Sequence, residues 1–152
     1  MKYHSLLTSN QGLNPLPLNP CQLLDFNFLK LAGGETHSAN SGGREILAVI
    51  LGGKATFTVN GSTFKQVGGR PNVFNGKPHS VYIPAGADYR IQAEGAVEIG
   101  LPSAPSDETG IPPYVIAPAQ VATPGRHLRA GASAISTCGC VPRRPARRRW
   151  PP

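Results

Sequence analysis

The sequence has little of what identifies several common protein classes. It contains one Met, one Trp and three Cys in 152 residues, and no apolar run approaches the ~20 residues that a membrane-spanning helix needs. Cys138 and Cys140 have no second Cys or His pair nearby and Cys21 stands alone, so neither a zinc motif nor a disulfide framework is expected. The first ten residues contain one Lys and no continuous apolar block, unlike a signal peptide. These absences predict a cytoplasmic protein with no membrane partner.

Acidic residues are missing from the C-terminal end, and this confines the excess positive charge to that end. Up to residue 120, eight basic residues balance eight acidic ones, whereas seven Arg and no acid follow. The first 120 residues therefore offer no basic face for phosphates, and no nucleic-acid partner is expected. The remainder is rich in Arg, Pro, Ala, Gly, Ser and Cys, with little to bury, which predicts a disordered tail.

Short alternating segments between glycine and proline turns predict an all-β fold without helices. Asn60-Gly61 joins two of these segments and is typical of a type I′ hairpin, in which both central residues need a positive φ. The pattern is that of a β-sandwich or jelly-roll barrel. The seven predicted strands lie near residues 24–28, 45–51, 55–59, 63–67, 81–83, 89–93 and 97–101.

The six apolar residues that follow Glu45 are expected to form a central strand buried on both faces. Val49 lies inside this run. Val49→Asp is therefore expected to prevent folding, because an unpaired buried charge costs several kcal/mol.

Two segments resemble the two cupin motifs. Glu45, six further residues and Gly52 match the second half of the first motif, and residues 84–86 (PAG) match the start of the second. A cupin metal usually takes three His and one Glu. Whether this chain can bind a metal therefore depends on the residues at the histidine positions.

The histidine positions of both motifs hold other residues. The paired histidines of the first motif would fall on Ser38 and Asn40, or on Ala39 and Ser41 with the shorter gap, and the histidine of the second falls on Tyr89. Only the acid of the ligand set remains, and one carboxylate cannot hold a divalent metal against water. The sequence therefore predicts a cupin-type jelly roll with no metal site and no catalytic residue of its own.

The remaining candidate residues have structural interpretations. Glu45 is expected to be a hydrogen-bonded carboxylate at the start of a strand, His37 a solvated loop residue, and His79 a loop residue before a strand. His4 and His127 fall in the two chain ends. No Ser/His/Asp or Cys/His set can be assembled from them, and no substrate-binding residue is predicted.

The chain also resembles the N-terminal half of the 5-deoxy-glucuronate isomerase family, bicupins of inositol catabolism that are similar to 5-keto-4-deoxyuronate isomerases. The resemblance covers about residues 20–120, and its most specific part is the stretch 68–74. It rests on residues 44–45 (RE), 51–56 (LGGKAT), 68–74 (GGRPNVF), 82–86 (YIPAG) and 103–105 (SAP).

The resemblance implies an aldose–ketose isomerisation of 5-deoxy-glucuronate, a small sugar acid, to 5-keto-2-deoxy-gluconate. A divalent metal would polarise the carbonyl and hydroxyl oxygens while a base moves a proton between adjacent carbons. In this family the His/His/Glu/His ligand set lies in the second cupin, which the sequence does not contain. The resemblance thus implies a truncated half that is inactive alone, and it predicts no oligomeric state.

The chain divides into four predicted parts: an N-terminal arm (1–20), a cupin barrel (21–104), a Pro-rich linker (105–120) and the basic tail (121–152). The composition of the tail is what a GC-rich gene gives when read out of frame, which indicates a frameshift near residues 121–125; a natural basic tail is the alternative. The tail is expected to be dispensable for folding. The alternative function is a metal-free cupin that acts as a sugar-binding or interaction module.

Overall fold

The computed structural model describes residues 6–21, 23–108 and 110–122. Within these ranges the only helical element is a 3-10 turn at Pro118–Gln120, and no helix there is long and apolar enough to cross a membrane. The strands are β1 (Gly12–Pro15), β2 (Asp25–Leu31), β3 (Thr36–Asn40), β4 (Arg44–Gly52), β5 (Lys54–Val59), β6 (Ser62–Gly68), β7 (Ser80–Ile83), β8 (Asp88–Ala93), β9 (Val97–Pro105) and β10 (Tyr114–Ile116).

The strands form two antiparallel sheets with an apolar core between them. The larger sheet has the order β1-β2-β9-β4-β7-β10 and the smaller one the order β3-β8-β5-β6. Along β4, β5 and β8, buried side chains alternate with more exposed ones, as expected where only the inner face of a sheet is covered. The largest fully buried side chains come from both sheets: Phe57, Leu29, Ile50, Ile83, Ile91 and Ile99. The prediction of an all-β sandwich is confirmed.

All seven predicted strands are present, as β2 and β4 to β9. The hairpin between β5 and β6 has the predicted turn, with φ of 46° at Asn60 and 83° at Gly61. Val59 and Ser62 are paired directly across it. Alternation and turn chemistry therefore locate most of the sandwich correctly.

Three further strands lie where none was expected. The predicted arm supplies β1, which pairs with β2, and the predicted linker supplies β10, which pairs with β7. The third, β3, pairs with β8. The arm and the linker are thus parts of the sandwich at these strands.

The sandwich extends to the first residue of the predicted tail. Val121 is buried, and its carbonyl oxygen accepts a hydrogen bond from Lys77 Nζ at 2.7 Å. If the chain were cut before residue 121, the sandwich would therefore lose a packed side chain. Residues 123–152 of the predicted tail lie outside the described residues.

The central strand β4 corrects one expectation. It does lie inside the larger sheet, between β9 and β7, but it is not buried equally on both faces. Ile46, Ala48 and Ile50 point into the core, whereas Leu47 and Val49 lie half-buried on the outer face. An apolar run does not reveal which face is covered, and here only the inner face is opposed by a second sheet.

We therefore expect Ile50→Asp, rather than Val49→Asp, to prevent folding. A carboxylate at position 50 would be held between the sheets without a partner, at a cost of several kcal/mol against a total stability of about 5–15 kcal/mol. Val49→Asp is the matched control, because its side chain can reach solvent and the protein should fold with a lowered melting temperature. Circular dichroism and thermal melts of both variants give the comparison, and equal behaviour of the two would contradict the assignment of faces.

Candidate functional site

The inward face of β3 carries the residues that decide whether the first cupin motif can hold a metal. His37 and Ala39 are half-buried and point inward, whereas Ser38 and Asn40 are exposed. Ser41, which follows the strand, is buried. The shorter of the two motif spacings therefore describes the interior positions, and these hold an alanine and a serine.

The hydroxyl of Ser41 is fully engaged in a structural contact. Its Oγ donates to the carbonyl oxygen of Pro84 at 2.7 Å and accepts from the backbone N–H of Ala87 at 2.8 Å. Ser41 thereby fastens the region of the first motif to the Pro-x-Gly turn of the second. Its oxygen is committed to the backbone and is not presented to the interior as a ligand.

Tyr89 occupies the histidine position of the second motif and points into the sandwich, where it is 7% exposed. Burial raises the pKa of its hydroxyl. Its ring lies 6.0 Å from that of His37, measured between centroids, at an interplanar angle of 50°.

His37 corrects a second expectation, since it is a strand residue and not a solvated loop residue. Its Nε2 is buried and has no hydrogen-bond partner among the described residues. Burial lowers the pKa of the imidazole, because a charged ring would lose its hydration there. The imidazole is therefore held in its neutral form in the folded protein.

Glu45 has the expected structural role, but it lies on the outer face of the larger sheet. Its carboxylate accepts a hydrogen bond from Tyr82 Oη at 3.0 Å, and the ring of Tyr82 stacks on Tyr114 with centroids 4.9 Å apart. Burial, followed by the hydrogen bond and charge of Glu45, raises the pKa of Tyr82, which keeps the phenol protonated as a donor. Glu45 and the interior positions of the motifs are thus on opposite sides of the sheet.

The residues at the motif positions do not fit a divalent metal. Ala39 offers a methyl group, Ser41 a committed hydroxyl and Tyr89 a protonated phenol, while the carboxylate of Glu45 is beyond the sheet. In residues 6–21, 23–108 and 110–122, no three His, Cys, Asp or Glu side chains come together as a metal-binding group. The expectation that this chain binds no metal stays a prediction, tested by its metal content.

The other candidates are placed apart from these positions. His79 precedes β7 as expected, and its Nδ1 accepts the backbone N–H of Gly68 at 3.0 Å. Cys21 is a free, exposed thiol. His4, His127 and the Cys138/Cys140 pair lie outside the described residues.

The family-specific stretch 68–74 contains the last residue of β6 and the first six residues of a tightly held loop, residues 69–77. Arg70 donates through Nε and Nη2 to the carbonyl oxygen of Ile50, at 3.1 and 2.8 Å. Its Nη1 donates to the carbonyl oxygen of Gly76 at 3.0 Å. One guanidinium therefore closes the loop on itself and ties it to β4, a use of the fixed fork of donors that Lys could not reproduce.

Backbone contacts complete the base and the tip of the loop. Gly68 has φ of 116°, and a Cβ there would lie 2.4 Å from the carbonyl oxygen of Gly53. At the tip, Asn72 Oδ1 accepts the N–H of Phe74 at 3.0 Å. This loop leaves the Phe74 side chain 93% exposed. Sequence reasoning identified the stretch by its family pattern but missed its physical role, which is architectural.

Comparisons with known proteins bear on both the family resemblance and the fold. The KduI/IolB family model matches residues 14–130. The 5-deoxy-glucuronate isomerase of Bacillus subtilis strain 168 is 33% identical over 106 residues, which cover 69% of this chain and 36% of that protein. The corresponding isomerase of Lacticaseibacillus casei is 39% identical over 62 residues, which cover 40% of this chain and 23% of that protein.

Two solved structures bear on the fold. The crystal structure of an IolB-like protein from Salmonella typhimurium LT2 has a TM-score of 0.70 at 27% identity, over 78% of this chain and 46% of that chain. A cupin protein from Bacteroides fragilis, 15% identical over 73% of this chain and 92% of its own, has a TM-score of 0.52. The cupin fold is confirmed. The chain spans about a third of the length of the Bacillus relative, consistent with an N-terminal half.

The neutral imidazole of His37 predicts a dependence of stability on pH. Because its pKa in the folded protein is below the usual 6.5, the unfolded chain binds more protons in the window below 6.5. The contribution of the neutral His37 to the free energy of unfolding is therefore fully present above pH 6.5. It is lost as the pH falls below 6.5 and through the pKa of the folded state. In His37→Gln this loss should be absent, so the difference in melting temperature between wild type and variant should shrink or reverse from pH 8 to pH 5. A difference that stays constant over this range would contradict the burial of a neutral imidazole.

The glycine at position 68 predicts a large local effect. Gly68→Ala should lower the free energy of unfolding by about 1–3 kcal/mol, because a side chain there combines a strained φ with a backbone clash. Gly43→Ala is the control, since a Cβ at Gly43 meets no atom within 4 Å. Urea unfolding of the two variants measures the difference. A Gly68→Ala protein as stable as the control would show that the base of the loop is not packed as described.

Proposed function

The chain belongs to the KduI/IolB family, and from this premise we propose that it is the N-terminal cupin half of a 5-deoxy-glucuronate isomerase, unable to catalyse the reaction alone. The observation that carries the proposal is the extent of the match. Residues 14–130 match the family model, while the matched region is 36% of the Bacillus subtilis isomerase. Under this proposal the substrate is the small sugar acid in the name of that relative.

The contacts of the family-specific residues support a packing role for this half. Arg44 Nε and Nη2 donate to the hydroxyl and the carbonyl oxygen of Ser103, at 3.0 and 2.9 Å. Arg70 holds the loop 69–77 to β4. Both residues lie in the stretches by which the family was recognised, and both use their donors on the protein itself. Their contacts therefore maintain the shape of the domain.

The chemistry of the reaction is the second support. An aldose–ketose isomerisation removes a proton from the hydroxyl-bearing carbon and returns a proton to the neighbouring carbonyl carbon, so it needs a base and a group that stabilises the charge on oxygen. The motif positions of this domain hold Ala39, Ser41 and Tyr89, none of which is a free base. The neutral imidazole of His37 shares their face, but in the described residues no three His, Cys, Asp or Glu side chains come together around it. The proposal therefore assigns the base and any metal to the part of the relatives that lies beyond the matched region.

The proposal includes two statements about the chain as a gene product. The acid-free C-terminal sequence arises from a frameshift near residues 121–125, with a natural basic tail as the alternative; the family match ends close to this point, at residue 130. The location is cytoplasmic, as the cysteine usage predicts; in the described part, the free and exposed Cys21 agrees with a reducing compartment.

We expect the purified 152-residue protein to show no isomerisation of 5-deoxy-glucuronate, with or without added Mn²⁺ or Zn²⁺. After dialysis it should hold less than about one-tenth equivalent of divalent metal, because it presents no set of three or four ligands. The Bacillus subtilis isomerase serves as the positive control in the same assay. Turnover by the short chain, or stoichiometric metal, would contradict the proposal.

The reading frame is tested separately by the DNA that follows residue 121. The proposal expects another frame to encode a second cupin with a His-x-His motif. If no frame encodes one, the free-standing module that binds a sugar or a protein partner becomes the better description.

A further inference from the structure

The loop 69–77 presents two apolar side chains to solvent at its tip. Phe74 is 93% exposed and Val73 is 48% exposed. Aromatic side chains are enriched in the cores of protein interfaces and are over-represented among the residues that carry most of the binding energy. An isolated exposed Phe on a flexible segment would mean little, so the way in which the loop is held is decisive.

The tip is held rigidly. The guanidinium of Arg70 bridges the carbonyl oxygens of Ile50 and Gly76, so both ends of the loop are fixed to β4. The turn that precedes Phe74 is closed by Asn72, whose Oδ1 accepts the Phe74 N–H and whose carbonyl oxygen accepts the N–H of Asn75 at 3.2 Å. A partner that covers Phe74 therefore meets a preorganised side chain and spends little free energy on ordering it.

The path of the chain indicates what lies next to the tip. Lys77, at the end of the loop, donates through Nζ to the carbonyl oxygen of Val121. Val121 is buried, and the described chain ends one residue later. Whatever follows residue 122 therefore starts at the base of this loop.

The relatives are longer than the region that this chain matches. The matched region is 36% of the Bacillus subtilis isomerase and 46% of the Salmonella typhimurium IolB-like chain, consistent with an N-terminal half. A following domain tethered at Val121 has a high effective concentration at the loop, so a small apolar contact is enough to fix it there.

We infer that Val73 and Phe74 are the docking contact for the second domain of family-length proteins, the domain that follows residue 122. This inference rests on the proposed function, in which this chain is the first half of such a protein. The occupant has an apolar recess that receives the ring of Phe74. In the structure, none of the described residues covers this tip.

The test uses a family-length protein in which residues 14–121 of this chain replace the matched region of the Bacillus subtilis isomerase. The wild-type chimera should unfold in one cooperative thermal transition. Phe74→Ser should lower its melting temperature by about 4–8 °C or split the transition into two, as expected for loss of a central interface contact. Leu18→Ser is the control, because Leu18 is also exposed, at 58%, but lies far from the loop in sequence; its effect should be under about 2 °C.

Several outcomes would overturn the inference. They are two independent transitions in the wild-type chimera, failure of that chimera to fold, or equal effects of the two substitutions. A dimer of the 152-residue chain in light scattering that Phe74→Ser dissociates would also overturn it, because the occupant would then be a second copy. Isomerase activity of the chimera is measured separately. If unfolding is cooperative and depends on Phe74 but the chimera is inactive, the result supports the docking contact and counts against the proposed function. If the chimera is active but its unfolding does not depend on Phe74, the result supports the proposed function and counts against the docking contact.

Discussion

One of the backbone crossings between the two sheets leaves no room for a side chain. At Gly53 the chain leaves β4 of the larger sheet and enters β5 of the smaller one, and a Cβ there would lie 2.2 Å from the carbonyl oxygen of Ala96. The same residue donates its N–H to the carbonyl oxygen of Arg70 at 3.0 Å and accepts the N–H of Gly69 at 2.9 Å. The crossing and the loop 69–77 therefore hold each other in place. A larger residue at position 53 would force apart β5, the loop and the turn before β9 together.

The interior has the shape of the cupin fold, but its motif positions hold side chains that pack rather than converge as ligands. A cupin metal site needs imidazoles that converge from the small sheet, yet here the inward positions are filled by Ala39 and Tyr89 among core residues such as Phe57 and Ile91. The packed interior stabilises the sandwich directly, through burial worth about 1.5–3 kcal/mol for each large apolar side chain. The space between the sheets at these positions is therefore filled by packed side chains.

Much of this fold could be predicted from the sequence, because its core strands alternate and its sharpest hairpin carries Asn60-Gly61. The missed strands have a physical explanation. In β1 the buried side chain is Asn14, whose amide is satisfied by the carbonyl oxygens of Asn10, Gly12 and Phe28, so a polar residue stands where the pattern requires an apolar one. Such compensation is visible only in three dimensions.

The candidate site was harder to predict than the fold, because its outcome depended on which face each strand residue occupies. A shift of one residue moves a side chain to the other side of a sheet. The motif spacing left two choices for β3, and the placement of Glu45 could not be read from a continuous apolar run. His37 was misjudged for the same reason: two residues from Ala39, it shares the inward face. Alternation and turn residues located most of the strands, whereas the pairing of β3 with β8 and of β4 with β7 decided which side chains face inward.

The serine at position 41 limits how a metal centre could be engineered into this domain. A histidine there would add a ligand atom, but it would remove two buried hydrogen bonds that join the two motif regions, each worth about 1 kcal/mol. A single substitution would therefore give a less stable protein with an incomplete ligand set. A designer would have to replace Ala39, Ser41 and Tyr89 together and supply new partners for the backbone groups of Pro84 and Ala87.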